Sequence, residues 1–393
     1  MLGRCAPVLV LGLVPGLAVS PAHSQGALLV TSRFTDEVLR YDPVSGAFLG
    51  VFASGGGLDN PVGLTFAPDG DLYVASGETD EVLRFDGTSG AFLGAFGGGG
   101  LSAPRQLNFG PDGFLYVASG ATNQILRFDA ASGTFVGVFA SGGGLNGPTS
   151  FTFGPDGDLY VGSVLNDRIK RYDGETGVFL GDFVTSNVDG PHDLAFGPDR
   201  KLYVTNAFNR RIVRFDAVTG AFVDNFITDL QLSAPLGLCW DDAGDLLVVN
   251  QGGNEVRRYD GETGAFLGSL FAPGEGGLSA PLFAAFEPQA GFRVDAPAPG
   301  VAGVSNVVRL SGAAPGGALW LGIGDRFIAR PVESCAGPWW LPATVARCSL
   351  IADESGRAFL RATVPAEEAG VRYLLRAFER ASCRATPLTS YRF

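Results

Sequence analysis

The sequence predicts an all-β fold: a six-bladed β-propeller with four-stranded blades, followed by a small β-sandwich domain. Three observations support this prediction. A segment of near-constant length repeats along the 393-residue chain, each copy contains four short strand-like runs, and the incomplete copies at the two ends complement each other. Repeat periods of roughly 40–50 residues are typical of solenoids, propellers and similar arrays.

The period is marked by an aspartate that follows an aromatic residue, as in YDPVSGAFLGVF and YDGETGAFLGSL. Successive copies are 43 or 44 residues apart. The six aspartates are Asp42, Asp86, Asp129, Asp173, Asp216 and Asp260. Each is placed to accept hydrogen bonds from N–H groups two or three residues further on, so we expect these aspartates to close tight turns.

Each period contains four runs of strand-forming residues. Between residues 61 and 96 the runs are GLTF, LYVAS, EVLRF and AFLGAF. They are rich in β-branched and aromatic residues, and the links PDGD and DGTSG carry turn chemistry. No sustained helical periodicity interrupts them. Four antiparallel strands in 43 or 44 residues predict one propeller blade.

The ends of the repeat array predict how the ring closes. A proline precedes the first strand of each period, at Pro61, Pro104, Pro148, Pro191, Pro235 and Pro281. After the last proline comes only the run LFAAFEP, whereas three runs without a first strand precede Pro61. Together they predict a sixth blade, in which the last inner strand joins the N-terminal strands and removes the exposed sheet edges.

Different compositions flank the propeller, which we assign to residues 25–290. Residues 1–24 have an early arginine, an apolar run and small residues before Gln25, as expected of a secretory signal peptide. Residues 291–304 form a Pro/Gly/Ala linker, and residues 305–393 predict an immunoglobulin-like β-sandwich. Its three cysteines, Cys335, Cys348 and Cys383, leave open which of them form a disulfide.

The charge is distributed unevenly and limits the partners. Residues 25–292 contain 15 lysines and arginines against 32 aspartates and glutamates, a net charge of −17, whereas residues 293–393 carry +4. An acidic body repels phosphate backbones, so we expect no nucleic-acid partner. No apolar run after the leader is long enough for a membrane span, so we expect no membrane insertion and a secreted or periplasmic monomer.

The repeated pattern P-x-G-L-x-F-x-P-D-G-x-L-Y-V-A-S, followed by V-L-R-F-D, resembles the NHL-repeat branch of the six-bladed propellers over residues 26–290. That superfamily also includes streptogramin lyases, peptidyl-hydroxyglycine lyases and calcium-dependent lactonases. The resemblance implies the fold. It leaves the activity open, because one fold carries many functions.

In such a propeller, the residues after each proline surround one mouth of the central channel, and the second strands end at the same mouth. Three adjacent periods are polar there, whereas the other three are apolar or contain glycine. The candidate ligand-binding residues are Arg105, Gln106, Thr149, Ser150, His192, Asp193, Asn206 and Asn250. A histidine beside a carboxylate, with an arginine across the mouth, suits a small anionic or amide-bearing ligand.

Two functions follow as hypotheses. The first is an exported interaction module that recognises a small molecule, peptide, glycan or extracellular protein at this mouth. The alternative is a metal-assisted lyase or lactonase, with His192 as its catalytic acid or base and a divalent cation, calcium or magnesium, in the channel. The sequence departs from the lyase pattern in having no glutamate at the other inner-strand starts, and one histidine cannot form a three-histidine zinc site.

Overall fold

The computed structural model describes residues 26–288, except positions 68, 131 and 242, and the backbone of the strands between residues 293 and 392. The expected signal peptide at residues 1–24 lies outside the described residues. So do the side chains of Cys335, Cys348 and Cys383, on which any disulfide depends. In the part of the chain that is described, no helix is both long and apolar enough to span a membrane.

Within residues 26–288 the chain forms six four-stranded antiparallel sheets, numbered here as blades 1–6. Blade 1 contains β1 (Leu28–Ser32), β2 (Glu37–Tyr41) and β3 (Phe48–Ser54), with β24 (Pro281–Phe286) as its innermost strand. Blade 2 contains β4 (Pro61–Phe66), β5 (Leu72–Ser76), β6 (Glu81–Phe85) and β7 (Phe92–Gly97). Blade 3 contains β8 (Pro104–Phe109), β9 (Leu115–Ser119), β10 (Gln124–Phe128) and β11 (Phe135–Ala140).

Blades 4–6 repeat this order from the innermost to the outermost strand. Blade 4 contains β12 (Pro148–Phe153), β13 (Leu159–Ser163), β14 (Arg168–Tyr172) and β15 (Phe179–Val184). Blade 5 contains β16 (Pro191–Phe196), β17 (Lys201–Asn206), β18 (Arg211–Asp216) and β19 (Phe222–Ile227). Blade 6 contains β20 (Pro235–Trp240), β21 (Leu246–Asn250), β22 (Glu255–Tyr259) and β23 (Phe266–Ser269). Short 3-10 turns lie at Val164–Asn166, Gln251–Gly253 and Glu275–Gly277.

The ring closes as the sequence predicts. Strand β24 pairs with β1, and Leu28 lies opposite Phe286 while Val30 lies opposite Ala284. Each innermost strand contacts the innermost strands of the two neighbouring blades, and β24 contacts both β4 and β20. The prediction of a closed six-bladed propeller, completed by the N-terminal strands and the last inner strand, is confirmed.

Aromatic side chains fill the spaces between blades. The second strand of blade 3 contributes Tyr116, which is buried and packs edge-on against Phe139 of its own blade and Phe153 of blade 4. Tyr160 of blade 4 packs in the same way against Phe183 and Phe196. Burial of one such side chain stabilises the fold by about 1.5–3 kcal/mol, so the repeated aromatic positions serve the inter-blade core.

The repeated aspartates close the turns before the outermost strands. Asp86 Oδ1 accepts hydrogen bonds from the backbone N–H groups of Thr88 and Ser89, at 3.1 and 2.7 Å, and from the Ser89 hydroxyl. These bonds lower the pKa of the Asp86 carboxyl. The same arrangement recurs at Asp42, Asp173, Asp216 and Asp260. These repeated aspartates therefore serve turn formation.

The described residues of the C-terminal region lie in strands. One sheet pairs β26 (Ser305–Ser311) with β25 (Arg293–Asp295) and β29 (Ala358–Thr363). The second sheet contains β27 (Ala318–Pro331), β28 (Pro338–Ile351), β30 (Arg372–Glu379), β31 (Arg384–Ala385) and β32 (Thr389–Arg392). Because β25 pairs with β26, strand structure begins inside the linker expected at residues 291–304. The immunoglobulin-like assignment stays a prediction.

Candidate functional site

A β-bulge shapes the start of the inner strand in blades 2–6. In blade 5, Pro191 lies opposite Asn206 and Leu194 lies opposite Val204, so the register shifts between Pro191 and Leu194. Blades 2, 3, 4 and 6 have the same shift. A bulge removes a residue from the ladder and re-aims its neighbours. We call this end of the channel, where the inner strands begin, the mouth.

The loops that follow the second strands border the same mouth. Gly120, directly after β9, donates its backbone N–H to the Ala103 carbonyl oxygen at 3.1 Å, just before the inner strand of blade 3. Ala207, directly after β17, bonds in the same way to Gly190 at 3.2 Å. We call these segments the second-strand loops. Their side chains therefore lie next to the residues that follow each proline.

Arg105 carries a positive charge at the mouth. Its side chain is partly buried and has no hydrogen bond or ion pair to any residue that the structure describes. Burial lowers the pKa of Arg105, and the nearby charge of Arg33 lowers it further, whereas Glu78 raises it. An arginine remains protonated under such conditions. Arg105 thus keeps its positive charge at the mouth, beside Gly120, without a protein acceptor.

The absence of a carboxylate partner distinguishes Arg105 from the other buried arginines. Within residues 26–288, every partly or fully buried arginine except Arg33 and Arg105 pairs with a carboxylate. The pairs are Arg40–Glu287, Arg84–Asp71, Arg127–Asp112, Arg168–Asp182, Arg171–Asp158, Arg214–Asp224, Arg257–Glu255 and Arg258–Asp241. Arg33 instead lies over the ring of Phe34, at 5.4 Å from its centroid. Both exceptions are at the mouth.

His192 lies beside this charge as a neutral side chain. Burial and the positive charge of Arg105 lower its pKa to about 4. Its imidazole meets the ring of Phe208 edge-on, with the ring centroids 6.3 Å apart. At neutral pH the ring therefore offers one hydrogen-bond donor and one acceptor, without adding a positive charge.

Asp193 and Gln106 join inner strands one residue beyond His192 and Arg105, and we call this pair the plug. Gln106 Nε2 donates to Asp193 Oδ1 at 3.2 Å, which connects blades 3 and 5. The backbone N–H groups of Leu194 and Leu238 donate to Asp193 Oδ1 and Oδ2, both at 2.8 Å. Phe151 donates its N–H to Gln106 Oε1 at 2.7 Å. The plug therefore joins four blades.

Burial opposes the ionisation of Asp193. The residue is 2% exposed, and burial raises its pKa to about 7 although the surrounding donors lower it. The buried Ser150 hydroxyl has no partner at ordinary hydrogen-bond geometry, yet it lies near enough to the carboxylate to lower its pKa. Thr149 donates its hydroxyl to the Pro191 carbonyl oxygen at 3.2 Å. This bond of Thr149 connects blades 4 and 5.

Asn206 and Asn250 do not offer their side chains to the mouth, in contrast to the sequence-based expectation. Asn206 accepts the N–H of Asp189 and donates to the Asn187 carbonyl oxygen. Asn250 accepts the N–H of Ser233. The equivalent residue of blades 1–4 is a serine that accepts the corresponding N–H. Both asparagines therefore fasten the loop before the inner strand.

Sequence reasoning missed the side chains of the second-strand loops. Phe34, Leu165 and Phe208 occupy equivalent positions in blades 1, 4 and 5, and they are 70%, 69% and 63% exposed. We call these three residues the apolar rim. A signal was present, because the two residues after each second strand vary in size and charge where the repeat is otherwise regular.

The divalent cation implied by the resemblance does not fit the residues at the mouth. Calcium and magnesium need about six converging oxygen ligands. Both oxygens of Asp193 already accept N–H groups, and the amides of Asn206 and Asn250 bind the loops. In the part of the chain that the structure describes, no group of three or more His, Cys, Asp or Glu side chains is arranged to hold a metal ion.

Comparisons with known proteins confirm the fold and go no further. No protein-family model matches the sequence, and no curated protein matches it. Similar solved structures include a chain of a nidogen/laminin complex, which is 15% identical with a TM-score of 0.56 and is matched over 67% of this chain and 98% of that chain.

A protein of unknown function from Bacteroides caccae is 13% identical, with a TM-score of 0.54 over 68% of this chain and 100% of that chain. Virginiamycin B lyase from Staphylococcus aureus is 17% identical, with a TM-score of 0.47 over 77% of this chain and 95% of that chain. At these identities the two structures with TM-scores above 0.5 show a likeness of architecture alone. The six blades seen here confirm the resemblance to six-bladed propellers at the level of the fold.

Proposed function

We propose that the protein is an exported binding module whose ligand presents a carboxylate to Arg105 at the mouth. The supporting observation is that the two partly buried arginines without a carboxylate, Arg33 and Arg105, both lie at this mouth. Holding a guanidinium away from water without an acceptor costs free energy. A ligand carboxylate offsets that cost, because charge-assisted bonds to arginine are short and strong.

His192 contributes contact and orientation in this proposal. With a pKa of about 4, its ring is neutral near pH 7, so it offers hydrogen bonds while Arg105 carries the charge. The same value makes His192 a weak base, and efficient acid–base catalysis requires a pKa near the working pH. The metal-assisted lyase or lactonase reaction therefore finds no specific support at this mouth, and binding remains the preferred function.

Export is part of the proposal and is supported by the composition of residues 1–24. The ligand is then a secreted or periplasmic small molecule, peptide, glycan or extracellular protein, and we propose that the propeller binds it as a monomer. N-terminal sequencing of the protein recovered from the periplasm or the medium tests export. We expect the mature chain to begin at Gln25; an uncleaved protein confined to the cytoplasm would contradict this part.

Arg105→Gln tests the binding site because it removes the charge and keeps a polar side chain. Wild-type protein is first screened by thermal shift against organic acids, short peptides and acidic glycans, and the hits are then measured by calorimetry. We expect carboxylate ligands to bind the variant about 10–100-fold more weakly, the range for a hydrogen bond to a charged group.

Arg84→Gln is the matched control, because Arg84 pairs with Asp69 and Asp71 at the hairpin between β4 and β5, away from the mouth. We expect this variant to bind as the wild type does. Anionic hits that bind wild type and Arg105→Gln with equal affinity would refute the proposal.

A further inference from the structure

We propose that the ligand is the C-terminus of a peptide or protein chain whose last residue is apolar. This inference rests on the proposed function and specifies which carboxylate the mouth receives. It combines three features of the mouth: two arginines without a carboxylate partner, the exposed apolar rim on the second-strand loops, and the plug that joins blades 3 and 5 one residue further along the inner strands.

The charges favour one carboxylate over a polyanion. Arg33 lies close enough to Arg105 for its charge to lower the pKa of Arg105. Glu78 lies near the same arginine and also accepts a hydrogen bond from Asn60 Nδ2 at 3.0 Å. This acidic neighbour and the strongly acidic propeller oppose a second negative charge. A chain terminus supplies a single carboxylate.

The apolar rim provides a surface for the last side chain. Phe208 meets His192 edge-on and lies over Gly190, where an added Cβ would come within 2.8 Å of the ring. Leu165 lies in the same way over Gly147, with 2.9 Å to its Cγ. The two glycines leave room for these side chains against the backbone. Exposed apolar groups that are already positioned lose little entropy on binding, which favours affinity.

The plug favours a chain end over an enclosed small molecule. The bond between Gln106 and Asp193 joins the inner strands of blades 3 and 5 one residue beyond Arg105 and His192, so it narrows the way into the ring on this side. Sites for small molecules usually bury most of the ligand surface. A mouth that presents both arginines and exposed apolar side chains suits a terminal residue whose preceding chain leads outward.

Calorimetry with tetraglycyl peptides that end in Phe, Leu, Ser or Asp tests the inference, each peptide with a free carboxylate or as the C-terminal amide. We expect the Phe and Leu acids to bind wild-type protein, and their amides to bind about 10–100-fold more weakly. Phe208→Ala should weaken the Phe and Leu peptides by roughly 5–30-fold, as expected for one lost aromatic contact. Phe92→Ala, an exposed phenylalanine on the outer strand of blade 2, is the matched control and should have no effect.

The outcomes separate this inference from the proposed function. If carboxylate binding depends on Arg105 but Ser and Asp peptides bind as well as Phe and Leu peptides, the inference is wrong and the proposed function stands. If 3-phenylpropionate binds as tightly as the Phe peptide, the ligand is a small acid and the inference is again wrong. If no carboxylate binding depends on Arg105, both fail.

Discussion

The two halves of the mouth are built from one repeat but are held together differently. In blades 3–5 the residues after the proline are polar, and Gln106 and Asp193 join blades through side-chain hydrogen bonds. In blades 6, 1 and 2 the corresponding residues are apolar or glycine, and Leu236, Leu282 and Phe283 are buried together. The repeat therefore determines the ring, and the departures from the repeat determine what the ring can bind.

The glycines of the apolar half show how its blades approach. An added Cβ at Gly63 would lie 2.7 Å from the Arg105 carbonyl oxygen, and one at Gly237 would lie 2.9 Å from the Leu282 carbonyl oxygen. Neighbouring backbones are therefore in direct contact there, which only glycine permits. The apolar half is sealed by backbone and core packing, whereas the polar half keeps side chains that can meet a ligand.

The largest effect is expected from the apolar half. Phe283→Ala removes a buried ring from the core cluster, and such truncations cost about 3–5 kcal/mol of unfolding free energy. Equilibrium urea unfolding measures the loss, with Val218→Ala, at a mostly exposed side chain, as the control. A loss below about 1 kcal/mol would show that packing does not hold this half, since it is the size of an average substitution.

The polar half is expected to depend on pH through Asp193. Burial raises the pKa of Asp193 to about 7 in the folded protein, from 3.8 in the unfolded chain. Between these values the folded state binds more protons, so the contribution of Asp193 is full below pH 3.8 and is lost as the pH rises through 7. The Asp193→Asn variant has an amide in place of the carboxyl group, and because an amide does not titrate in this range, the variant lacks this pH dependence.

The difference in unfolding free energy between wild type and Asp193→Asn should therefore fall from pH 4 to pH 8. Chemical denaturation at a series of pH values tests this trend, and the paired comparison cancels the other carboxylates. A difference that is constant across the range would mean that Asp193 is ionised in the folded state throughout.

A smaller loss is expected at Asn206, which fastens a loop. Asn206→Ala removes two hydrogen bonds to the segment before Pro191, at a cost of about 1–3 kcal/mol. Asn206→Ser should recover much of this loss, because blades 1–4 use serine at the equivalent position. Thermal unfolding compares the three proteins. Equal losses for Ala and Ser would show that the hydrogen bond to Asp189 contributes nothing.

The smallest effect on stability is expected at His192. His192→Ala should change the unfolding free energy by less than about 0.5 kcal/mol, because a partly exposed mouth residue without a hydrogen bond contributes little to the core. Its effect should be seen instead in the affinity for carboxylate ligands, measured on the same preparation. A large fall in the melting temperature would assign His192 a structural role.

The propeller could be predicted because the sequence signals for its strands and turns are local and repeat along the chain. The strand count follows from the fixed spacing of Asp42, Asp86 and their counterparts and from the proline before each inner strand. The incomplete ends of the repeat array can pair only with each other. The structure of residues 305–393 was less predictable, because no repeat defines its register. Its strands β27 and β28 are 14 residues long, unlike the short runs that the sequence indicates.

The site was predictable only in part. The proline marks the start of each inner strand. Arg105 and His192 each follow such a proline directly, so the sequence could place them near each other. The roles of Asn206 and Asn250 could not, because a short polar side chain at a strand end bonds either to the channel or to its own loop. Phe34, Leu165 and Phe208 were missed because their exposure depends on how the second-strand loops fold over the mouth.

The most direct measurement follows the Nε–H resonances of the arginines by NMR during titration with the tetraglycyl peptide that ends in Phe. We expect the Arg105 resonance to shift and to saturate with the bound fraction, while the resonance of the ion-paired Arg84 stays in place. Saturable binding of the peptide with an unchanged Arg105 resonance would contradict carboxylate recognition at the mouth.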